Sequence, residues 1–187
     1  MIYLILTTVT LLTQVIVLAW LSVMFVSGLI SSKHGAPYVP IGRKHLSDLL
    51  EFGGLSSSDN FYDLGSGDGR VLITAAQDFH VRNATGYEAA PWPFQKSLWL
   101  IKRSRLANIK VLNKSFFDGQ FGDATFIYIY LFPQLVDRLA GKLAGELRPA
   151  TKILCLDFPV DPKRHPEFLL KKQQKIGTMT AYLYEKI

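Results

Sequence analysis

The first 32 residues of this chain contain no aspartate, glutamate, lysine or arginine, and this run limits what the chain can fold into. As a helix, the 29 residues from Ile2 to Ile30 extend about 43 Å, whereas the hydrocarbon core of a bilayer is about 30 Å thick. A cleaved signal peptide, the alternative, needs a basic start and a shorter apolar stretch, but apolar residues follow Met1 directly. We therefore expect residues 1–32 to form one membrane-spanning anchor, with some tilt.

Basic residues flank this run on its carboxyl-terminal side, where Lys33, Arg43 and Lys44 follow it. Because positive residues stay inside, we expect a single-pass membrane protein whose folded domain faces the cytoplasm, or the matrix of a mitochondrion. A single cysteine, Cys155, excludes an internal disulfide and fits a reducing compartment. Because we expect the chain to be anchored in a membrane, the lipid bilayer is its first expected partner.

The net charge of +6 lies wholly outside the uncharged run and favours attraction to anionic lipid headgroups. Lysine and arginine form no block long enough to predict nucleic-acid binding. The four histidines are scattered without the spacing of metal ligands. We therefore expect neither a nucleic-acid partner nor a metal ion.

Alternating strand and helix patterns fill the rest of the chain, and we expect residues 33–45 to be a linker and pre-motif before one domain at 46–187. The predicted strands lie at 60–64, 84–88, 109–112, 124–131, 152–158, 173–176 and 180–185. The predicted helices lie at 41–52, 70–79, 91–106, 134–147 and 162–170. This alternation predicts an α/β fold, with a mostly parallel sheet covered by helices on both faces. The last two strands predict an antiparallel hairpin.

A glycine loop with the sequence YDLGSGDGR, from Tyr62 to Arg70, follows the first predicted strand and opens a helix. Glycines let the backbone approach a ligand closely, and free N–H groups at a helix start favour electron-rich ligand atoms. A dinucleotide-binding loop has the spacing G-x-G-x-x-G, which would put its third glycine at Arg70 instead of Gly69. The spacing therefore favours S-adenosylmethionine over NAD. Asp63 precedes the loop, where it can face the amino-acid part of that ligand or accept hydrogen bonds from the loop.

Glu88 is the second candidate for cofactor binding, at the end of the second predicted strand and 19 residues after Gly69. A carboxylate at this position accepts hydrogen bonds from both hydroxyls of a ribose. An ordinary surface glutamate is the alternative. Position and spacing together favour ribose binding.

From Pro37 to Phe158 the chain resembles a family of class I methyltransferases, including the mitochondrial ATP synthase c-subunit and adenine nucleotide translocase lysine N-methyltransferases and short prokaryotic relatives. Besides the glycine loop, the matching segments are PYVP at 37–40, YLFP at 130–133, LRP at 147–149, and Asp157-Phe158. The resemblance implies a Rossmann-like sheet of seven mostly parallel strands, with a C-terminal antiparallel hairpin and an N-terminal transmembrane helix.

The resemblance also implies a cofactor, S-adenosylmethionine, and a set of residues that hold it. Tyr38 and Pro40 would fold over the cofactor, Glu88 would hold its ribose, and Ser115 and Phe116 would lie at its adenine. Residues of the glycine loop would form the pocket for its methionine part: Asp63, Gly65, Ser66, Gly67 and Gly69. Tyr130 would line the cleft, and Tyr130 and Tyr38 are the candidate catalytic residues.

Three positions depart from the family pattern and leave open a weakened enzyme. Ile41-Gly42 replaces the usual Thr-Pro after Pro40, Ser115 replaces an acid at the adenine amino group, and Ala89-Ala90-Pro91 follows Glu88. None of these departures removes the glycine loop or Glu88.

The implied acceptor is a lysine of a membrane-associated protein. At pH 7 its deprotonation costs about 4–5 kcal/mol from a pKa near 10.4, and burial against aromatic walls lowers that pKa. Tyr38, Tyr130 and Phe132 are candidates for such walls, although core packing explains Phe132 equally well. Two other functions stay open: methylation of a phospholipid or small molecule, and a catalytically silent module that binds the cofactor.

Overall fold

In a computed structural model, the structure describes residues 1–33 and 43–187, with the backbone alone at residues 27, 29–33, 43 and 44. The first element is helix α1 (Ile2–Lys33). Its stretch from Ile2 to Val26 has a mean hydropathy of 2.3 and is long and apolar enough to cross a membrane. Side chains along this stretch are exposed, as expected of a helix whose apolar surface is not part of the protein core.

Seven strands form one sheet in the order β3-β2-β1-β4-β5-β7-β6. The strands are β1 (Asn60–Leu64), β2 (Asn83–Tyr87), β3 (Ile109–Leu112), β4 (Phe126–Ile129), β5 (Lys152–Leu156), β6 (Phe168–Ile176) and β7 (Met179–Lys186). β1 to β5 pair in parallel, whereas β7 pairs antiparallel with both β5 and β6. The predicted α/β sheet of seven strands, with its terminal hairpin, is confirmed.

Four helices complete the domain: α2 (Arg43–Phe52), α3 (Arg70–Asp78), α4 (Pro91–Ser104) and α5 (Pro133–Glu146). α2 and α3 contribute to the core on one face of the sheet, and α5 contributes to the core on the other. Leu46, Leu49 and Leu50 of α2 are fully buried at helical spacing. Each such side chain stabilises the fold by about 1.5–3 kcal/mol relative to an exposed one.

The helix predicted at residues 162–170 is wrong. The chain instead makes a turn, with Arg164 and His165 donating backbone hydrogen bonds to the Asp161 carbonyl, and β6 begins at Phe168. Pro166 would lie inside the predicted helix, where it lacks the N–H that the helix needs and its ring clashes with the preceding turn. Phe168 is buried at the start of β6, so the hairpin begins earlier in the chain than the strand predicted at 173–176.

The order of the strands places a crevice at the carboxyl ends of β1 and β4. The chain leaves β1 for α3 on one face and leaves β4 for α5 on the opposite face, so the two connections diverge. In open α/β sheets, ligands bind at such a point. The glycine loop follows β1 directly and therefore lies at this crevice.

Tight packing at Gly53 offers a test of the interface between α2 and the sheet. A Cβ atom at Gly53 would lie 2.6 Å from Cζ of Phe126, and the backbone of Gly53 is not left-handed, so the cost of a side chain is steric. We expect Gly53→Ala to lower the free energy of unfolding by about 1–3 kcal/mol, measured by denaturant titration. Gly145→Ala is the matched control, since no heavy atom outside its own helix lies within 4 Å of its Cβ position. Equal effects of the two changes would contradict this packing.

Candidate active site

The glycine loop between β1 and α3 turns through left-handed backbone conformations. The φ angles of Gly65, Gly67 and Gly69 are 96°, 54° and 77°, a region that residues with a Cβ rarely adopt. The amides of Gly65 and Ser66 both donate to the carbonyl of Tyr87, each at 3.0 Å. The loop is thereby fixed to the end of β2, and its backbone lines the crevice.

Glu88 follows β2 and turns its carboxylate onto the glycine loop. Oε2 accepts a hydrogen bond from the Gly67 amide at 2.9 Å, and Oε1 accepts one from the Ala90 amide at 2.7 Å. Asn113 donates to the Glu88 carbonyl at 2.9 Å, which fixes the backbone there. The structure thus brings the two predicted anchors of the site together.

Asp63, the last residue but one of β1, forms the floor of the crevice. Its side chain is buried, with 2% exposure, and no described residue donates a hydrogen bond to Oδ2. Burial, together with the nearby charges of Glu88 and Asp68, raises the pKa of this carboxyl well above its usual range. A cationic group in the crevice would stabilise the carboxylate form. The site therefore favours a positively charged ligand.

Asp68 lies in the same loop but is engaged in ion pairs. Its carboxylate accepts from Nε of Arg70 at 2.9 Å and from Nη2 at 2.8 Å, and it pairs with Nζ of Lys96 on α4 at 3.0 Å. These contacts join the loop to the starts of α3 and α4. Sequence reasoning missed this role, although the acid-Gly-Arg order is a local signal for it.

The remaining loop residue of the predicted set, Ser66, is buried and packs against β2. Its Oγ would lie 2.6 Å from a Cβ at Gly86, so the absence of a side chain at Gly86 makes room for it. No described residue bonds to this Oγ. Ser66 thus places a second unpaired polar atom beside the loop.

Ser115 precedes, and Phe116 begins, a 3₁₀ turn at Phe116–Asp118. Oγ of Ser115 accepts from the Phe117 amide at 3.2 Å, so this side chain caps the turn. Phe116 is buried with 5% exposure, and its ring centroid lies 4.7 Å from that of Phe117. The contact of Ser115 and Phe116 with adenine stays a prediction.

At the ends of β4 and β5, Tyr130 and Asp157 point to each other. The Tyr130 hydroxyl lies 3.5 Å from Oδ2 of Asp157, a long contact of the kind that tightens when a ligand binds. Burial and the charge of Asp157 raise the pKa of Tyr130, so it stays a neutral hydroxyl at pH 7. Oδ1 of Asp157 accepts from the Thr180 amide at 2.9 Å, and Asp157 has a left-handed φ of 61°. The sequence allows Asp157 either as a proton acceptor or as a structural residue at the strand end, and Asp157 was not in the predicted set of site residues.

Two aromatic rings follow the ends of β4 and β5. Phe132 is 45% exposed, so core packing does not explain it, and its ring meets that of Phe158 edge-to-face at 5.9 Å. The two rings form an apolar wall where the chain leaves these strands. Tyr38 and Pro40, the predicted lid over the cofactor, lie outside the described residues.

Comparison with known proteins identifies the family of this chain. Residues 63–167 match the model of the ANTKMT methyltransferase domain, which covers the glycine loop, Glu88, Tyr130 and Asp157. The chain belongs to this methyltransferase family. The resemblance seen in the sequence is thereby confirmed, and the chain is a methyltransferase.

Two relatives place the chain within the family. A protein-lysine N-methyltransferase of Saccharolobus islandicus is 32% identical over 149 residues, which is 79% of this chain and 92% of that protein. The ATP synthase c-subunit lysine N-methyltransferase of Xenopus laevis is 29% identical over 151 residues, which is 80% of this chain. The chain spans 63% of the length of the frog protein, and 57% and 60% of the mouse and human proteins of the same name.

Solved structures agree with the fold. An RNA methyltransferase of Salinibacter ruber, in complex with S-adenosyl-L-homocysteine, superposes with a TM-score of 0.72 and 26% identity, covering 79% of this chain and 94% of that one. A methyltransferase of Pyrococcus furiosus superposes with a TM-score of 0.63 at 16% identity, covering 87% of this chain and 94% of that one. The sheet of this chain is therefore the Rossmann-like class I methyltransferase sheet.

The buried carboxyl of Asp63 predicts a dependence of stability on pH. Because its pKa is raised above the unfolded value near 3.9, the native state binds this proton more tightly, and stability falls as the pH rises above about 4. We expect Asp63→Asn to unfold at a higher temperature than the parent chain at pH 8, with a smaller gain at pH 5. Thermal unfolding across pH measures this. The exposed Asp118→Asn is the control, and parallel pH curves for the parent chain and Asp63→Asn would contradict the interpretation.

Proposed function

We propose that this chain transfers a methyl group from S-adenosylmethionine to a lysine side chain of a membrane-associated protein. The cofactor is S-adenosylmethionine, as in class I methyltransferases generally, and it supplies a methyl group on a positively charged sulfur. The observation that carries the proposal is the convergence of Asp63, the glycine loop and Glu88 on one crevice. The relatives from Saccharolobus and Xenopus are lysine N-methyltransferases, which supports lysine as the acceptor here.

The residues in the crevice fit this cofactor. Its amino-acid part carries an ammonium group, and Asp63 offers a buried oxygen to which no described residue donates. The Gly67 amide of the loop donates a hydrogen bond to the Glu88 carboxylate, so a ligand bound at the loop also contacts this carboxylate. We assign the methionine pocket to Asp63 and the loop residues, and the ribose to Glu88.

The adenine end and the lid complete the proposed pocket. We assign the adenine to Ser115 and Phe116, whose turn follows β3 at the same end of the sheet. α2 carries His45 beside Gly177 of the β6–β7 turn, so α2 begins at this end of the sheet. This entry point supports Tyr38 and Pro40 as a cover over the cofactor.

The acceptor lysine enters between the aromatic rings and Tyr130. Phe132 and Phe158 exclude water from its ammonium group, which disfavours the charged form and lowers the pKa of the lysine. The Tyr130 hydroxyl directs its own proton to Asp157, so its oxygen accepts a hydrogen bond from the neutral amine. That bond orients the lone pair of the lysine nitrogen. Tyr130 is therefore a catalytic residue by contact with the acceptor, and Asp157 is a positioning residue.

We also propose that α1 anchors the chain in a membrane. The segments are an anchor at 1–32, a linker and pre-motif at 33–45, and the catalytic domain at 46–187. The domain faces the cytoplasm or the matrix, because basic residues follow the anchor. Nine residues, 34–42, separate α1 from α2 and reach at most about 30 Å, so this short connection keeps the crevice near the lipid surface and favours a membrane-associated substrate.

Transfer of labelled methyl groups tests the acceptor class. We expect purified full-length chain, mixed with membranes and methyl-labelled S-adenosylmethionine, to label a protein band, and mass spectrometry to place the label on lysine. Gly67→Arg is the inactive control, because a side chain there meets a left-handed backbone and fills the crevice. Label confined to the lipid extract, or to RNA, would overturn the lysine proposal, and absence of both label and cofactor binding would reject the enzyme.

Removing the hydroxyl of Tyr130 tests the proposed geometry. We expect Tyr130→Phe to lower kcat by about 10–100-fold through loss of alignment, with a KM for the cofactor changed less than about threefold. Tyr182→Phe, a half-buried tyrosine of β7, is the matched control. Steady-state kinetics measure both variants. A normal kcat for Tyr130→Phe would remove this residue from the mechanism.

A further inference from the structure

The outward face of α4 combines large apolar side chains with basic ones. Trp92, Leu98 and Trp99 are 38%, 42% and 60% exposed, and Lys102 and Arg103 are exposed beside them. We call these five residues the tryptophan face. None of them belongs to the proposed cofactor pocket or to the acceptor wall.

Helical spacing puts these residues on one side of α4. Trp92 and Trp99 are seven residues apart, two turns along the same face. Ser97 is buried on the opposite side, where its Cβ lies 3.2 Å from the position of a Cβ at Gly69. α4 thus has an inner face on the domain and an outer face on which Leu98 and Trp99 are exposed.

The outer face has the composition of a helix at a lipid surface. Tryptophan is enriched where headgroups meet hydrocarbon, and helices that lie in this layer pair apolar rings with lysine and arginine. Cζ of Arg103 lies 5.6 Å from the centre of the Trp99 ring, so charge and ring occupy one patch. Lys96, although nearby, is paired with Asp68 and is left out of the proposed contact.

Contact with α1 puts this face at the level of the bilayer surface. The rings of Trp20 and Trp92 meet edge-to-face with centroids 6.5 Å apart. Trp20 lies ten residues before Ile30, where the uncharged apolar run of the sequence ends, which is about 15 Å along the helix axis. The 29-residue run is about 43 Å long and exceeds the hydrocarbon core by about 13 Å. With this excess on the side of the domain, Trp92 lies close to the boundary between hydrocarbon and headgroups.

We propose that the tryptophan face of α4 lies in the headgroup layer of an anionic bilayer, as a second membrane contact beside α1. The inference rests on the proposed anchoring of α1 and goes beyond it. α4 begins three residues after Glu88, at the end of the sheet that holds the crevice. The contact would therefore orient the mouth of the catalytic cleft along the membrane, which a single anchor does not do.

The three tryptophans of the chain, Trp20, Trp92 and Trp99, make a direct test possible. Full-length variants that keep one tryptophan, with phenylalanine at the other two, are reconstituted into nanodiscs of phosphatidylcholine with or without phosphatidylglycerol. Lipids brominated at shallow or deep positions then quench the fluorescence of nearby rings. We expect shallow bromines to quench Trp20 in all discs, and to quench Trp99 in the discs that contain phosphatidylglycerol.

The outcomes separate the two proposals. Quenching of Trp20 without quenching of Trp99 overturns the contact of α4, leaves the anchor intact, and leaves the face to a protein partner. A Trp20 that no bromine quenches rejects the anchor and the α4 contact together. Lysine methylation is measured in a separate assay, so neither result depends on it.

Charge removal adds a second test of the lipid contact. Each basic residue near an anionic surface contributes about 1 kcal/mol, so Lys102→Gln with Arg103→Gln should weaken docking of α4 about 30-fold. We expect this variant to lose the shallow quenching of Trp99 while Trp20 stays quenched. Arg82→Gln with Lys175→Gln removes the same charge from exposed positions outside α4 and should change nothing. An equal effect of both pairs would overturn a specific contact through α4.

Discussion

The hydrogen bond from the Gly67 amide to the carboxylate of Glu88 holds the site together. It joins the loop after β1 to the end of β2, two segments that are separated in the chain by the whole of α3. The two amides that bond to the Tyr87 carbonyl support the same junction from the backbone side. The crevice thus has a fixed shape before any ligand arrives, which lowers the cost of ordering it on binding.

Three carboxyl groups lie at this junction, and they differ in the residues that stabilise their negative charge. Asp68 is neutralised by Arg70 and Lys96, and Glu88 accepts two backbone hydrogen bonds. Asp63 has neither kind of support among the described residues, so its proton is held tightly. A cationic ligand relieves this imbalance, and its binding therefore stabilises the fold. A buried acid without a partner costs the empty protein stability, as functional sites often do.

Sequence patterns predicted the sheet well because the central strands are buried on both faces and carry continuous apolar runs. They failed at residues 162–170, where charged residues imitate an exposed helix and Pro166 decides against it. The glycine loop and Glu88 were predictable because a fixed backbone shape demands fixed residue types. Asp68 and Asp157 carry local signals in the sequence, but their contacts with Lys96 and Tyr130 were not predictable, because these partners lie 28 and 27 positions away. The wall formed by Phe132 likewise depends on exposure, which a sequence does not state.

The short connection between α1 and α2 has a consequence for the choice of acceptor. Nine residues, 34–42, separate the two helices, and a chain of that length extends at most about 30 Å. In a membrane-anchored chain, the crevice then reaches only a thin layer above the lipid and encounters its partners by lateral diffusion in the bilayer. The distance of a lysine from the bilayer surface therefore limits its access to the crevice, whatever the sequence around it. A lysine on a tall extramembrane domain is out of range, whereas one in a loop between two membrane helices is met repeatedly.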